Sequence, residues 1–300
     1  MNHVVAVDIG GTDIKSALVN ERFEVLATKS TPTPKPDPSG VQTLEVVAQL
    51  VEDFAKAHPV SAVGLGVLGV FDDALGICRW SGNLQWRDFP IRDLLQKRLG
   101  IPVAAGHDIR TAGVAEARDG AAAGYANSIF IAIGTGIAAS LVIDGEIRSS
   151  GGFAGEIGHV NVNGKFPCVC GRSGCLEAAS SALSISTAYN KAAGTSGVTT
   201  EAIAKLVSEG DPIANEIWSD AMSALARACE MLITILAPEA IVFGGGLAKS
   251  GELLLKPIST ALDASLTFQR KPELKIAHYG ALAGTIGCAM MAFDLVNEGK

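Results

Sequence analysis

The sequence contains no run of Lys or Arg residues, and its formal net charge is -7. Proteins that bind nucleic acid through its phosphates carry clustered positive charge, so nucleic acid is not expected as the main partner. A purely apolar stretch of bilayer length is also missing, which argues against a membrane protein. The N-terminus begins with a strand-like run and not with a charged segment followed by an apolar one, so no signal peptide is expected.

Charged residues are few as well, at 18% of the 300 residues, whereas 48% are hydrophobic. This balance excludes a disordered chain and is enough for one large or two medium domains with their own cores. The six cysteines do not suggest a disulfide framework, because three are far apart and three lie within eight residues. That spacing fits a reducing compartment, and we expect a cytoplasmic protein.

The three clustered cysteines share a turn-rich segment with a histidine. The set is His159, Cys168, Cys170 and Cys175. Zinc favours four nitrogen and sulfur ligands in a tetrahedron, and glycines between the ligands let them converge without backbone strain. Incidental thiols are the weaker interpretation, since free cysteines usually sit singly in cores. The sequence therefore predicts a structural Zn²⁺ site without an open coordination position.

Two acidic residues flank the predicted zinc ligands. Glu156 lies three residues before His159, and Glu177 lies two residues after Cys175. Metal binding would hold the two carboxylates in place, and fixed carboxylates accept hydrogen bonds from polyol hydroxyls with geometric selectivity. Two solvated surface acids are the alternative, but the four glycines between positions 151 and 158 favour a small ligand close to the backbone.

The whole segment resembles the signature of a known family. Gly155–His159 reads GEIGH and Cys168–Glu177 reads CVCGRSGCLE, and this pattern is similar to the motif of the ROK family of sugar kinases and sugar-responsive repressors. The resemblance implies that Glu156, His159 and Glu177 bind sugar hydroxyls. His159 would do so with one ring nitrogen while the other binds zinc, because the second nitrogen of a metal-bound histidine normally has a partner.

Two similar glycine-rich turns occur earlier in the chain, and each joins two predicted strands. Such turns commonly bind phosphates, although either one alone could be an ordinary hairpin turn. The first turn is Gly10, Gly11 and Thr12, between strands at His3–Asp8 and Ile14–Val19. The second turn is Gly134, Thr135 and Gly136, between strands at Ile129–Ile133 and Ala138–Ile143. The pair resembles the actin-like ATPase (ribonuclease H-like) fold, in which two hairpins contact the phosphates of ATP.

This resemblance implies an α/β protein with two α/β domains around a nucleotide and sugar cleft. We expect an N-terminal domain over residues 1–114, with a final helix at about 280–300 packed back on it. The C-terminal domain would cover residues 115–279 and include the zinc-binding loop 159–175. Its Gly244, Gly245 and Gly246 follow a predicted strand; the family places its adenosine pocket there, and a tight strand–helix turn is the alternative.

Asp108 is the candidate catalytic base. It follows a predicted strand at Ile101–Gly106 and begins a predicted helix, where capping alone would explain an aspartate. A carboxylate at a strand end can also point into the cleft of an α/β sheet, and the resemblance implies that Asp108 accepts the proton of the attacking sugar hydroxyl. His107 stands where the family has an asparagine sugar ligand, so it is a candidate sugar contact; either it binds a hydroxyl in place of the asparagine, or its bulk narrows the pocket to another sugar.

Two further residues are candidates for ligand contacts. Asp8, at the end of the first strand, would hold nucleotide-bound Mg²⁺ through water, with a turn-capping aspartate as the alternative. Asn83 belongs to a segment that resembles one beside the sugar in the family, although a loop asparagine in a turn explains it nearly as well.

The resemblance as a whole implies an ATP-dependent, glucokinase-like hexose kinase that forms a homodimer or homotetramer. Either ATP or polyphosphate fits as the donor. A repressor of the same family is one alternative, but it would carry an N-terminal helix-turn-helix, and here the phosphate-turn strand begins at His3. A sugar-binding protein without catalysis is the other alternative, which the exchange at His107 keeps open.

Overall fold

The computed structural model describes residues 2–162 and 166–298. The chain folds into two compact units. The first contains the chain up to Arg118, the segment Ile147–Ala154 and the chain from Ala281 onward. The second contains Asp119–Glu146 and Gly155–Gly280.

The strands and helices are numbered along the chain. The strands are β1 (His3–Ile9), β2 (Asp13–Asn20), β3 (Val25–Pro32), β4 (Val60–Val67), β5 (Val70–Asp72), β6 (Ile77–Ser81), β7 (Trp86–Phe89), β8 (Val103–His107), β9 (Ser128–Ile133), β10 (Ile137–Ile143), β11 (Glu146–Arg148), β12 (Ala240–Gly244) and β13 (Glu273–Ile276). The helices are α1 (Val41–Ala55), α2 (Ile91–Leu99), α3 (Asp108–Arg118), α4 (Leu176–Ser180), α5 (Ala182–Ala193), α6 (Thr200–Glu209), α7 (Pro212–Leu236), α8 (Glu252–Ser265) and α9 (Ala283–Glu298).

The two five-stranded sheets repeat one topology. Their orders are β3-β2-β1-β4-β8 and β11-β10-β9-β12-β13. In each, the first strand of a hairpin pairs antiparallel with its successor and parallel with a strand that arrives after a crossover. The duplication expected from the two glycine-rich turns is therefore confirmed. A small sheet of β5, β6 and β7 in the first unit was not predicted.

The strand register of the first unit brings its polar strand ends together. Because β1, β4 and β8 are parallel, their carboxyl ends lie at one edge of the sheet. Asp8 is opposite Gly66, and Val67 is opposite His107. The predicted strand ended at Gly106, but this pairing extends β8 to His107, so Asp108 begins α3 directly at the sheet edge.

The last helix, α9, belongs to the core of the first unit. The segment Gly280–Glu298 is long and apolar enough to cross a membrane by length and composition. Its residues Cys288 and Ala289 are fully buried in a cluster with strands β1, β2 and β4. A Cβ at Gly64 would lie 1.9 Å from the carbonyl oxygen of Cys288, so glycine there allows the helix to approach β4 closely. The apolar character of α9 is therefore that of a core helix.

Helix α7 is the central helix of the second core, and apolar residues at helical spacing in the sequence predict the same span, Pro212–Leu236. Asp211 caps it by accepting a hydrogen bond from the N–H of Ala214 at 2.7 Å, and Pro212 occupies the first turn, where no donor is lost. Trp218 is buried, and its indole N–H donates to Leu253 O at 2.9 Å.

Candidate functional site

The four predicted zinc ligands converge in the second unit. One ligand atom from each residue, His159, Cys168, Cys170 and Cys175, lies within 4.8 Å of the others. The Sγ atoms of Cys170 and Cys175 are 3.6 Å apart, and Cys168 Sγ is 3.8 Å from His159 Nδ1. A zinc–sulfur bond of about 2.3 Å in a tetrahedron separates neighbouring sulfurs by about 3.8 Å. The donor set and its spacing therefore fit Zn²⁺.

Short backbone contacts build this cluster. The N–H of Cys168 donates to Arg172 O at 2.8 Å, and Gly171 in that turn has a φ of 87°, which favours glycine. Residues 163–165 of the predicted loop 159–175 lie outside the described residues. The tight turn points the sulfur atoms of Cys168 and Cys170 to the same side, as a shared ion requires.

The cluster favours the thiolate of Cys170 and disfavours that of Cys175. Hydrogen bonds from the backbone and the side chain of Arg172 lower the pKa of Cys170 to about 6. Burial raises the pKa of Cys175 to about 11. Metal binding deprotonates cysteine ligands, so a bound ion would displace the proton of Cys175 while Cys170 is ionised beforehand.

Glu177 lies at the second glycine-rich turn, which the sequence did not indicate. Its Oε2 accepts a hydrogen bond from the N–H of Ile137 at 3.0 Å. A Cβ at Gly136 would lie 2.6 Å from the same oxygen, so any other residue there would displace the carboxylate. The turn is closed by Gly134 N–H donating to Gly136 O at 2.9 Å. The zinc loop and the predicted phosphate turn thus form one site within the second unit.

Glu156 is fixed to the same hairpin through its neighbour. The N–H of Ala139 in β10 donates to Gly155 O at 2.8 Å. Gly155 has a φ of 97°, and a Cβ there would lie 2.0 Å from Ala139 O. Glu156 follows directly and begins a 3₁₀ turn in which the N–H of His159 donates to its carbonyl oxygen at 3.1 Å. Glu156 and His159 therefore project from one turn beside β10.

The segment Gly244–Gly246 lies close to the second glycine-rich turn, Gly134–Gly136. Gly245 has a φ of 79°, and a Cβ there would lie 2.4 Å from the carbonyl oxygen of Ile133, the last residue before the Gly134 turn. A Cβ at Gly246 would meet nothing within 4 Å. The third glycine-rich segment is therefore adjacent to the second in the same unit, with open space at Gly246.

In the first unit, the Gly10–Thr12 turn is braced by a segment that the sequence analysis did not single out. The hydroxyl of Thr33 donates to Gly10 O at 2.7 Å, and the ammonium of Lys35 donates to Gly11 O at 2.6 Å. Asn83 lies over the same turn, because a Cβ at Gly11 would be 3.1 Å from its Nδ2. The structure thus places Asn83 beside the predicted phosphate turn.

Asp8 and Asp108 form an acidic pair at the sheet edge of the first unit. Burial raises the pKa of Asp108 to about 6. Burial, followed by the charge of Asp108, raises the pKa of Asp8 to about 6. The Asp108 side chain is nevertheless 28% exposed, so a substrate can reach it. A carboxylate with a pKa near the working pH is suited to general-base catalysis.

The carboxylate of Asp108 contacts its own neighbours. Its Oδ1 accepts a hydrogen bond from the N–H of Ile109 at 2.8 Å and lies 3.2 Å from His107 Nε2. An N-cap aspartate accepts instead from an amide two or three residues further on, and among the described residues Asp108 shows no such bond. Capping therefore does not account for Asp108.

Two residues behind Asp108 were missed by sequence reasoning. The Arg110 side chain is only 3% exposed. Its Nη2 donates a hydrogen bond to Phe71 O at 2.6 Å and lies 2.8 Å from Asp73 Oδ2. Asp73 Oδ1 accepts the backbone N–H of His107 at 3.1 Å. The only sequence signal was an arginine on the first turn of a helix, and nothing in the sequence pointed to Asp73 as its partner.

Comparison with known proteins agrees with these features. The sequence model of the ROK family matches residues 4–294. The chain is 34% identical to the glucokinase of Halalkalibacterium halodurans, over 94% of this chain and 92% of that protein. The crystal structure of a ROK family glucokinase from Streptomyces griseus in complex with glucose and AMPPNP superimposes with a TM-score of 0.84 at 28% identity, covering 97% of this chain and 99% of that one. The ROK hexokinase of Thermus thermophilus gives 0.81 at 31% identity, covering 99% and 100%. The actin-like ATPase fold is thereby confirmed.

Relatives with other activities match at similar or lower identity. The N-acetyl-D-glucosamine kinase of Pasteurella multocida is 30% identical, over 95% of this chain and 97% of that kinase. The xylose repressor of Caldicellulosiruptor bescii is 23% identical, over 98% of this chain and 79% of the repressor. Similarity at this level supports a sugar kinase without deciding which hexose it uses.

Proposed function

Since the chain belongs to the ROK family, we propose that it is an ATP-dependent, glucokinase-like hexose kinase. Asp108 takes the proton from a sugar hydroxyl, whose oxygen then attacks the terminal phosphoryl group of ATP. The observation that carries this proposal is the partly exposed carboxylate of Asp108 at the strand edge, with its pKa raised to about 6 beside Asp8. Most of the acceleration in such reactions comes from positioning and charge stabilisation, and a general base adds about 10²–10⁴-fold.

The nucleotide is assigned to the three glycine-rich segments. Gly10, Gly11 and Thr12 in the first unit, and Gly134, Thr135 and Gly136 in the second, bind phosphates through backbone N–H groups. Gly244, Gly245 and Gly246 bind the adenosine, which the open space at Gly246 supports. Asp8 holds Mg²⁺ through water, and the ion neutralises phosphate charge when bound.

The sugar is assigned to six side chains: Asn83, His107 and Asp108 of the first unit, and Glu156, His159 and Glu177 of the second. His159 Nδ1 faces Cys168 Sγ at 3.8 Å, so Nε2 is the nitrogen left for a hydroxyl. The Zn²⁺ ion is structural: His159, Cys168, Cys170 and Cys175 hold it, and the closed loop keeps Glu156 and Glu177 in place.

The assembly and location are also part of the proposal. We place the enzyme in the cytoplasm as a homodimer or homotetramer that acts on a small-molecule sugar, without nucleic acid or membrane as a partner. The match to a xylose repressor supports the second candidate, a sugar-binding protein of the family that does not catalyse phosphoryl transfer.

An ADP-release assay with ATP and Mg²⁺ against a panel of hexoses tests the proposal. Turnover on a hexose that falls by about 10²–10⁴-fold in Asp108→Asn, with an unchanged circular dichroism spectrum, supports it. Turnover that persists in the variant removes Asp108 as the base. If no hexose is phosphorylated, polyphosphate replaces ATP as donor in the same assay. Sugar binding by calorimetry with no turnover from either donor would establish the non-catalytic candidate instead.

A further inference from the structure

His107 is a buried histidine whose two ring nitrogens both face polar groups. The N–H of Ile109 donates to Nδ1 at 3.3 Å, and Nε2 lies 3.2 Å from Asp108 Oδ1. A neutral imidazole has one donor nitrogen and one acceptor nitrogen. Because Nδ1 accepts a hydrogen bond, the proton of the neutral ring is on Nε2. The protonated nitrogen of His107 is therefore the one that lies 3.2 Å from the carboxylate of Asp108.

We propose that His107 is a positioning residue for Asp108 and not a sugar ligand. This inference rests on the proposed kinase function and revises one assignment within it. Nε2 of His107 lies 3.2 Å from Oδ1, which also accepts the N–H of Ile109, so Oδ2 is the oxygen that receives the substrate proton. In the reaction the sugar O–H bond breaks as the Oδ2–H bond forms, and the sugar oxygen bonds to the terminal phosphorus as ADP leaves.

The backbone of His107 is held in place from behind. Its N–H donates to Asp73 Oδ1 at 3.1 Å, and Arg110 anchors the other oxygen of Asp73 at 2.8 Å. Arg110 is itself fixed by Phe71 O at 2.6 Å. Since Arg110 lies on the first turn of α3, the helix that begins at Asp108, one ion pair fixes both the histidine and the base relative to each other. Geometry of this kind is what a positioning residue needs.

The proposal has a consequence for specificity. Nδ1 accepts from Ile109 and Nε2 lies 3.2 Å from Asp108 Oδ1, so both ring nitrogens already have polar neighbours within the chain. A site discriminates strongly between sugars only through polar groups that bond the hydroxyl in question. Changes at His107 should therefore alter the rate of the chemical step and leave the order of hexose preference unchanged.

A pair of variants separates the two roles. In His107→Gln the amide nitrogen can occupy about the position of Nε2, whereas the shorter His107→Asn reaches only about the position of Nδ1. We expect kcat of His107→Asn to fall at least about tenfold below that of His107→Gln, with similar KM values for the hexose. His58→Asn is the matched control, because His58 is exposed and precedes the opposite end of β4. A raised hexose KM or a new order of preference, with His107→Asn no slower than His107→Gln, would overturn the proposal.

A second measurement does not depend on turnover. In ¹⁵N-histidine NMR spectra, assigned with His107→Gln, we expect the Nε2–H tautomer for His107 and a shift of Nε2 in Asp108→Asn. An Nδ1–H tautomer, or an Nε2 resonance that is indifferent to Asp108, contradicts the proposal even if the kinase is active. If no sugar is phosphorylated, the kinase proposal fails, whereas the tautomer still decides whether His107 orients Asp108.

Discussion

The Arg110–Asp73 pair allows a quantitative prediction about the stability of the first unit. Arg110→Met keeps most of the apolar contact of the side chain and removes the guanidinium. The variant loses the bond to Phe71 O and the ion pair with Asp73. Breaking one partner of a buried ion pair costs about 3–5 kcal/mol. The Asp73 side chain is 27% exposed as a whole, but its Oδ2, which faces Arg110, is buried. We therefore expect a loss of about 3–5 kcal/mol in the free energy of unfolding.

Urea unfolding followed by tryptophan fluorescence measures this loss. In a Trp218→Phe background the remaining tryptophans, Trp80 and Trp86, both belong to the first unit. Arg110→Lys is the matched control: it keeps the charge but cannot span both acceptors, and should lose less. Adding Asp73→Asn to Arg110→Met should recover about 1–2 kcal/mol in a double-mutant cycle. A loss below about 1 kcal/mol, or strict additivity of the two changes, would refute the role assigned to the pair.

Four further predictions concern the candidate site. Because the base must be ionised, kcat/KM should fall as the pH drops through about 6, the pKa of Asp108. A value of kcat/KM that stays constant between about pH 5 and 8 would contradict this. The same raised pKa means that the folded state favours the protonated form of Asp108. The contribution of Asp108 to stability is therefore present below about pH 4 and is lost as the pH rises to about 6. Asp108→Asn should accordingly raise the melting temperature at neutral pH but not in acid, as calorimetry can check. Cys175→Ser should lower the zinc content measured by mass spectrometry and raise the hexose KM, because Glu177 loses its anchor; normal KM without zinc would disprove the link. Gly136→Ala should reduce activity with zinc retained, since its Cβ would lie 2.6 Å from Glu177 Oε2; wild-type kinetics would show that the contact is dispensable.

Parts of this molecule follow from local sequence alone. The helix at Pro212–Leu236 was predicted over its full span, because apolar residues recur along it at helical spacing, which is a local signal. The convergence of His159, Cys168, Cys170 and Cys175 was predicted from their spacing, since loops with short ligand separations can converge in few ways. The two glycine-rich turns indicated the repeated topology because each lies in a local unit of strand, turn and strand.

Other parts were missed where local signals are weak. The small sheet of β5, β6 and β7 has strands of three to five residues, too short for a clear alternating pattern. Helix α8 contains Pro257, which argues against a helix when read from sequence. Strand β13 is an edge strand of four residues, and its partly buried side chains leave no continuous apolar run.

The sequence by itself predicted the fold family, the four residues of the His–Cys cluster and the candidate catalytic base, Asp108. Only the tertiary structure showed that Glu177 bonds to the Gly136 turn, which is 40 residues away in sequence. Likewise, it alone showed that Asp73 bonds to His107, 34 residues away. Sequence periodicity and capping signals extend over a few residues and say nothing about contacts across such separations. Those contacts depend on the strand register and the path of the chain, and here they decide how the catalytic groups are held.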